Sequence, residues 1–149
     1  MLFRESRNRS GEAYALAQLG DVDLHLGRHQ EAADQRRKAL ALYRQTGDLS
    51  GQAQALNGLG ESSLGAGHPG QARTQHTMAL RLASQIGDKY GEARAHHGLA
   101  RVYQAEGNGS QSRRHRQQAH ALYTDLGAPE AAVLEAEGLG AEGLAVRSR

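Results

Sequence analysis

The chain contains no cysteine and no tryptophan, only 2 prolines among its 149 residues, and just 4% aromatic side chains. The lack of cysteine excludes disulfides, thiolate catalysis and cysteine-ligated zinc, and it fits a reducing compartment. No apolar run approaches the roughly 18 residues of a membrane-spanning helix. Residues 1–10 are charged and lack the hydrophobic centre of a secretion signal. The composition therefore predicts a cytoplasmic protein.

The chain also has no marked excess of positive or negative charge. Lys and Arg total 18 against 16 Asp and Glu, which gives a net charge of +2 with His neutral. Nucleic-acid binding is normally indicated by a concentrated basic face. The one dense basic cluster, residues 113–116, is typical of a solvated helix face. Direct contact with nucleic acid is therefore not expected.

What the chain does contain is an internal repeat. Three stretches align without a gap at a spacing of 40 residues. A fixed period of about 20 to 50 residues is the signature of a solenoid, in which each unit buries its apolar face against its neighbours. The coinciding positions include Gly11/Gly51/Gly91, Ala15/Ala55/Ala95, Leu19/Leu59/Leu99, Gly27/Gly67/Gly107, Ala39/Ala79/Ala119 and Gly47/Gly87/Gly127.

Within each unit the apolar residues recur at helical spacing in two runs separated by a glycine. Gly47 and Gly87 are expected to end the second helix in the left-handed conformation, and Pro69 suits the first turn of a helix. Small residues such as Gly20 and Gly60 predict close approach of paired helices. Together these features predict an all-α fold, a right-handed α-solenoid of stacked antiparallel helix pairs.

The repeat also predicts how the chain is divided. Residues 1–6 align with residues 41–46 at the same spacing, and a first helix restarts after Gly127. These ends indicate a fragment of a larger protein, although a small protein with atypical terminal units fits as well. The divisions are 1–10 (end of a preceding helix or a tail), 11–50, 51–90 and 91–128 (three repeats), and 129–149 (a capping helix or incomplete fourth repeat).

On these residues the units resemble the tetratricopeptide repeat (TPR) family. Its pattern is Leu-Gly and an aromatic in the first helix, glycine at the turn, then Ala and Ala-Leu in the second helix. The longer unit is similar to those of kinesin light chains, spindle-orientation adaptors and actinobacterial regulatory ATPases and transcriptional regulators. Asp23 and Ser63 replace the aromatic, and His120 stands where Leu40 and Leu80 do, so looser packing is expected there. The matching residues are Leu19-Gly20, Gly27, Ala32, Ala39-Leu40; Leu59-Gly60, Gly67, Ala72, Ala79-Leu80; and Leu99-Ala100, Tyr103, Gly107, Ser112, Ala119.

Motifs for chemistry are weak. Residues 65–70 satisfy the G-x-G-x-x-G pattern, which needs a preceding strand to bind a dinucleotide, but here the pattern falls at the turn between two helices. The eight histidines show no spacing that would bring together the three or four ligands of a zinc site. We therefore expect no cofactor, no metal and no enzymatic activity.

The resemblance implies a non-catalytic protein–protein interaction module that holds a peptide or partner surface in a concave groove lined by the first helices. The alternatives are an intramolecular regulatory array within a transcription regulator or ATPase and, more weakly, a nucleic-acid-associated protein. The groove residues that it implies are Tyr14, Gln18, Asp21, His25, Gln54, Asn57, Glu61, Arg94, His97, Arg101 and Gln104.

Two further expectations concern polarity and association. Asp21 and Glu61 share a repeat position with Arg101, so the groove is expected to run from acidic to basic, with Asn57 bonding the ligand backbone between the two poles. Self-association is expected through apolar side chains at the ends of the stack, which are Leu2, Phe3, Leu139 and Leu144.

Overall fold

The computed structural model describes residues 2–147, without the side chains of residues 2–4, 6 and 139–147. The described part consists of α-helices joined by short turns and contains no strand, as the sequence predicts. Its seven helices are α1 (Leu2–His25), α2 (His29–Thr46), α3 (Leu49–Gly65), α4 (Pro69–Ile86), α5 (Lys89–Ala105), α6 (Gly109–Asp125) and α7 (Glu130–Arg147).

The helices pack in sequence order as a stack. Each second helix (α2, α4 and α6) contacts the first helix of its own unit and the first helix of the next unit. The first helices also lie side by side, because α3 contacts both α1 and α5. This arrangement is the α-solenoid expected from the repeat, with the apolar side chains shared between neighbouring units rather than gathered in one centre.

The turn between units is built the same way twice. Gly47 and Gly87 end α2 and α4 with φ values of 73° and 71°, a left-handed conformation that other residues adopt only at a cost. The aspartate that follows each glycine caps the next helix. Asp48 accepts a hydrogen bond of 2.8 Å from the Gly51 amide, and Asp88 accepts one of 2.9 Å from the Gly91 amide. Both glycine predictions are confirmed.

The beginning of the chain differs from the expectation. Residues 1–10 were expected to be the end of a preceding helix or an N-terminal tail, whereas α1 runs without interruption from Leu2 to His25. At the position of Gly47 and Gly87 the first unit carries Arg7. Because arginine does not favour the left-handed conformation of a helix end, the helix continues through this position.

Small residues on the first helices have a more specific role than close helix approach. A Cβ added to Gly20 or Gly58 would meet the side chain of Arg36 from α2. One unit later, a Cβ on Gly60 or Gly98 would meet the imidazole ring of His76 from α4. The glycines therefore form slots in which one polar side chain from α2 and one from α4 each lie between two consecutive first helices.

Arg36 shows what such a side chain contributes. Only 3% of the side chain is exposed, and its guanidinium donates to the Gly58 carbonyl at 2.9 Å and to the Ser62 hydroxyl at 2.8 Å. A third donor forms an ion pair with Asp21 of α1. One buried cation thereby links α2 to both neighbouring first helices, and burial is tolerated because its charge is paired and hydrogen-bonded.

The third joint between consecutive units, where α6 packs against α7, is more polar than the earlier joints. The replacement of leucine by His120 is consistent with this difference. His120 and Glu135 of α7 form a 2.8 Å contact, whereas the corresponding residues in earlier units are Leu40 with Ala55 and Leu80 with Ala95. A crevice of about 650 Å³ lies between α6 and α7. The last described helix therefore packs against the stack with less apolar contact than α3 or α5.

We predict that Gly98→Ala destabilises the protein by about 1–3 kcal/mol through overpacking. The new methyl group would overlap the ring of His76, and that ring cannot move away because the backbone at Gly60 lies close to it as well. Urea unfolding followed by circular dichroism measures the change.

The matched control is Gly70→Ala, whose Cβ would meet no atom within 4 Å. This substitution should be neutral or stabilise the fold by up to about 1 kcal/mol, because alanine loses less backbone entropy on folding. Similar effects of the two substitutions would contradict the slot around His76.

Candidate functional site

A pocket of about 390 Å³ lies where the three first helices meet. The sequence predicted four of its lining residues as groove residues, namely Glu61, Arg94, His97 and Arg101. Its other lining residues are Leu24 of α1, Leu64 and Gly65 of α3, His76 of α4 and Gly98 of α5. The pocket thus combines two leucine side chains with a charged rim, and we take it as the centre of the candidate site.

The remaining predicted groove residues lie outside the lining of this pocket. Tyr14 is 61% exposed, and His25 is exposed with its ring Nδ1 2.7 Å from the Asp21 carbonyl. The three glutamines Gln18, Gln54 and Gln104 are all exposed on first helices. These side chains are open to solvent, so any role in recognition would come from the surface around the pocket.

The charges at the site are already paired. Arg94 donates two hydrogen bonds of 2.8 Å to the carboxylate of Glu61, and Arg101 donates one of 2.7 Å to Glu137. Asp21 is paired with Arg36. The expectation of a groove that runs from acidic to basic is therefore wrong, because each of these charges has a partner of opposite sign on a neighbouring helix.

Asn57 is also placed differently from the expectation that it bonds a ligand. It is fully buried, and its side-chain amide donates to the Gly91 carbonyl at 3.2 Å. Its carbonyl oxygen Oδ1 lies 2.8 Å from Nδ1 of His76. Asn57 therefore joins α3 to α4 and α5, and its buried side chain is not accessible to a partner.

This contact determines the tautomer of His76. Since the Asn57 amide nitrogen faces a carbonyl, its Oδ1 is the acceptor toward the imidazole, so His76 Nδ1 carries the proton. The other ring nitrogen, Nε2, is buried and has no hydrogen-bond partner among the described residues. His76 thus presents an unsatisfied acceptor in the wall of the pocket.

Burial sets the protonation of the site. It lowers the pKa of His76 to about 4, an effect that the Glu61 charge opposes and the charges of Arg94 and Arg101 reinforce. Burial alone would raise the pKa of Glu61, but the hydrogen bonds and charge of Arg94 hold it below its usual value. At neutral pH the pocket therefore contains a neutral imidazole beside an ionised Glu61–Arg94 pair.

Sequence reasoning missed His76, Leu24 and Leu64. The signal for His76 was present, because residues 36, 76 and 116 share a repeat position and are Arg, His and Arg. A polar residue that recurs on an inward helix face, opposite recurring glycines, indicates a buried polar contact. The leucines carry no comparable signal, since partly exposed leucines are common on helices.

Other histidines do not assemble a metal site in the described part of the chain, where no group of three or more His, Asp or Glu side chains is suitably placed. His96 and His115 lie 2.9 Å apart through their Nδ1 atoms, which makes a pair only. The glycine motif of residues 65–70 falls at the turn between α3 and α4, where the repeat places it.

Comparison with known proteins now decides the family. The family model for the tetratricopeptide repeat matches residues 11–85, which run from within α1 to the last turn of α4. The chain belongs to the tetratricopeptide repeat family. Its TPR stack is similar to the crystal structure of the TPR domain of Arabidopsis FLU, with a TM-score of 0.71 at 21% identity, over 76% of this chain and 95% of that one. At that identity the likeness shows the fold alone.

No curated protein matches the TPR chain. In the described range, none of its helices is long and apolar enough to cross a membrane.

We predict that the free energy of unfolding decreases as the pH falls from about 6.5 to about 4. The unfolded chain takes up a proton on His76 near its ordinary pKa of 6.5, whereas the folded chain resists protonation until about pH 4, so protonation favours the unfolded state across that interval. His96, whose pKa burial also lowers to about 4, acts in the same direction. Urea unfolding at several pH values measures the slope.

The variant His76→Gln should reduce this slope, because glutamine does not titrate and retains a donor for Asn57. The control is His68→Gln, at an exposed position. An unchanged slope in His76→Gln would show that His76 does not cause the pH dependence.

Proposed function

We propose that this TPR protein binds a peptide or partner-protein surface over the first helices α1, α3 and α5. TPR stacks generally act as non-catalytic protein-interaction modules, with their curvature forming extended binding surfaces. The observation that carries the proposal is the pocket of about 390 Å³ at which these three helices meet. It gives one side chain of a partner a place to enter.

The chemistry of the pocket favours an apolar anchor with polar flanks. Leu24 and Leu64 supply apolar surface, and burial of a medium-sized apolar side chain contributes about 1.5–3 kcal/mol. Around them, the Glu61–Arg94 pair is still 26% exposed on both side chains. Because the site's charges neutralise one another, selection for a highly charged partner is not expected, and polar groups of the bound segment would meet the exposed Gln54 and Gln104 instead.

The partner is a cytoplasmic protein or another domain of a longer chain. The second of these corresponds to a regulatory array in an ATPase or transcription regulator, and it would use the same surface. Nucleic acid is the weaker alternative, since both arginines that line the pocket, Arg94 and Arg101, are already paired with carboxylates.

Selection of binders from a random peptide display library on the immobilised protein provides a ligand with which to test the proposal. We predict that Leu64→Gln weakens binding of the selected peptide about tenfold or more, which corresponds to about 1.4 kcal/mol. Fluorescence polarisation with a labelled peptide measures the affinity.

The control is Met78→Gln on α4, a partly exposed apolar side chain of a second helix, which should bind like the unsubstituted protein. Both variants are first checked for an unchanged helical spectrum. Equal losses from the two substitutions, or a ligand footprint confined to second helices, would refute the proposed surface.

A further inference from the structure

The outer side of α1 carries an apolar stripe with no partner in the described part of the chain. Its members recur at intervals of four, four, three and four residues, which places them on one helix face. The larger side chains are well exposed, with Leu19 at 52%, Val22 at 55% and Leu26 at 60%. The stripe consists of Gly11, Ala15, Leu19, Val22 and Leu26.

The same face is a packing surface in the other units. The positions of Ala15, Leu19 and Val22 correspond in α5 to Ala95, Leu99 and Val102, whose exposures are 0%, 3% and 0%. Their helix face meets the preceding second helix, since a Cβ on Gly91 would contact Ala83 of α4. The stripe on α1 therefore has the composition of a helix–helix interface.

A preceding second helix of the same kind does not fit this face. In α3 and α5 the face contains Gly58 and Gly98, which leave room for the inserted side chains of Arg36 and His76. Residue 18, at that position in α1, is glutamine, so no slot exists for an inserted side chain.

Both ends of the stripe also argue against a preceding second helix of the same kind. Leu26 extends the stripe to a position that is exposed in the other units, where the residues are Ala66 and Glu106. A neighbour stacked as α2 stacks on α3 would leave Leu26 uncovered. At the other end, α1 continues straight through Arg7, so the helix does not turn back there as α2 and α4 do.

We propose that a second copy of this chain covers the stripe, with the two α1 helices antiparallel across a twofold axis near residues 18 and 19. The stripe is small at one end and large at the other, so an antiparallel copy places Gly11 opposite Leu26 and Ala15 opposite Val22. Such self-complementarity is the requirement of a twofold interface, and small residues facing large ones let two helices interdigitate.

The residues of the stripe are not those that the sequence predicted to cause self-association. The side chains of Leu2, Phe3, Leu139 and Leu144 lie outside the described residues. The dimer also leaves the pocket at Leu24, Leu64 and His76 for another partner, so its failure would not affect the proposed peptide surface.

Sedimentation equilibrium over a wide concentration range tests the association. The unsubstituted protein should show a dimer fraction that rises with concentration, and Leu19→Glu should raise the dimer dissociation constant at least tenfold by placing two carboxylates beside the axis. Met78→Glu on α4, also partly exposed, should leave the dissociation constant unchanged. A monomer at every concentration, or a dimer that tolerates Leu19→Glu, would overturn the proposal.

Single cysteine variants test the geometry without background, because the chain has no cysteine. Leu19→Cys should form a disulfide with its own copy, and a mixture of Ala15→Cys and Val22→Cys should form the mixed disulfide. Ala15→Cys alone should not, because at a rise of 1.5 Å per residue its two copies lie about 10 Å apart along the axis, beyond the roughly 7 Å Cα limit for a disulfide. Self-linking of Ala15→Cys would refute the antiparallel arrangement, and a dimer that links at none of these positions would refute α1 as the interface.

Discussion

A polar side chain held between glycines of two consecutive first helices is the contact on which this stack depends. Arg36 occupies that position between α1 and α3, and His76 occupies it between α3 and α5. A buried polar group costs stability when its partners are missing, so the hydrogen bonds of Arg36 and of His76 Nδ1 require the neighbouring helices at a defined distance. Apolar packing alone would allow the units to slide, because alanine-rich surfaces offer few features that fix a register.

The same contacts shape the candidate site. His76 forms part of the pocket wall and is held by Asn57, which in turn is bonded to the backbone of α5. Some residues at groove positions thus form contacts between neighbouring units. The charges that remain near the surface are paired with charges of opposite sign. The proposed recognition at this surface would rely more on an apolar anchor and shape than on net charge, which fits a net charge of only +2 for the whole chain.

The repeat is most regular in its middle and changes at both ends. In the first unit the packing face of α1 is exposed, and glutamine replaces the glycine of the slot. At the third joint Arg116 lies 3.5 Å from where a Cβ on Gly138 would be, and an His–Glu pair replaces the leucine–alanine pairs of earlier joints. Comparison of equivalent repeat positions therefore separates the residues that pack one unit against the next from those that make no such contact in the end units.

The amino-acid sequence by itself determined the helix pairs, their order and the turns at Gly47 and Gly87, because periodicity, glycine and helix caps act over a few residues. It also indicated four residues of the pocket, since their repeat positions place them on first helices. Tertiary structure decided which groove side chains are available. Asn57 is buried and Glu61 is paired with Arg94 through contacts 33 or 34 residues apart in the chain. Such partners depend on how neighbouring helices cross, and that geometry is fixed only when every unit of the stack is packed.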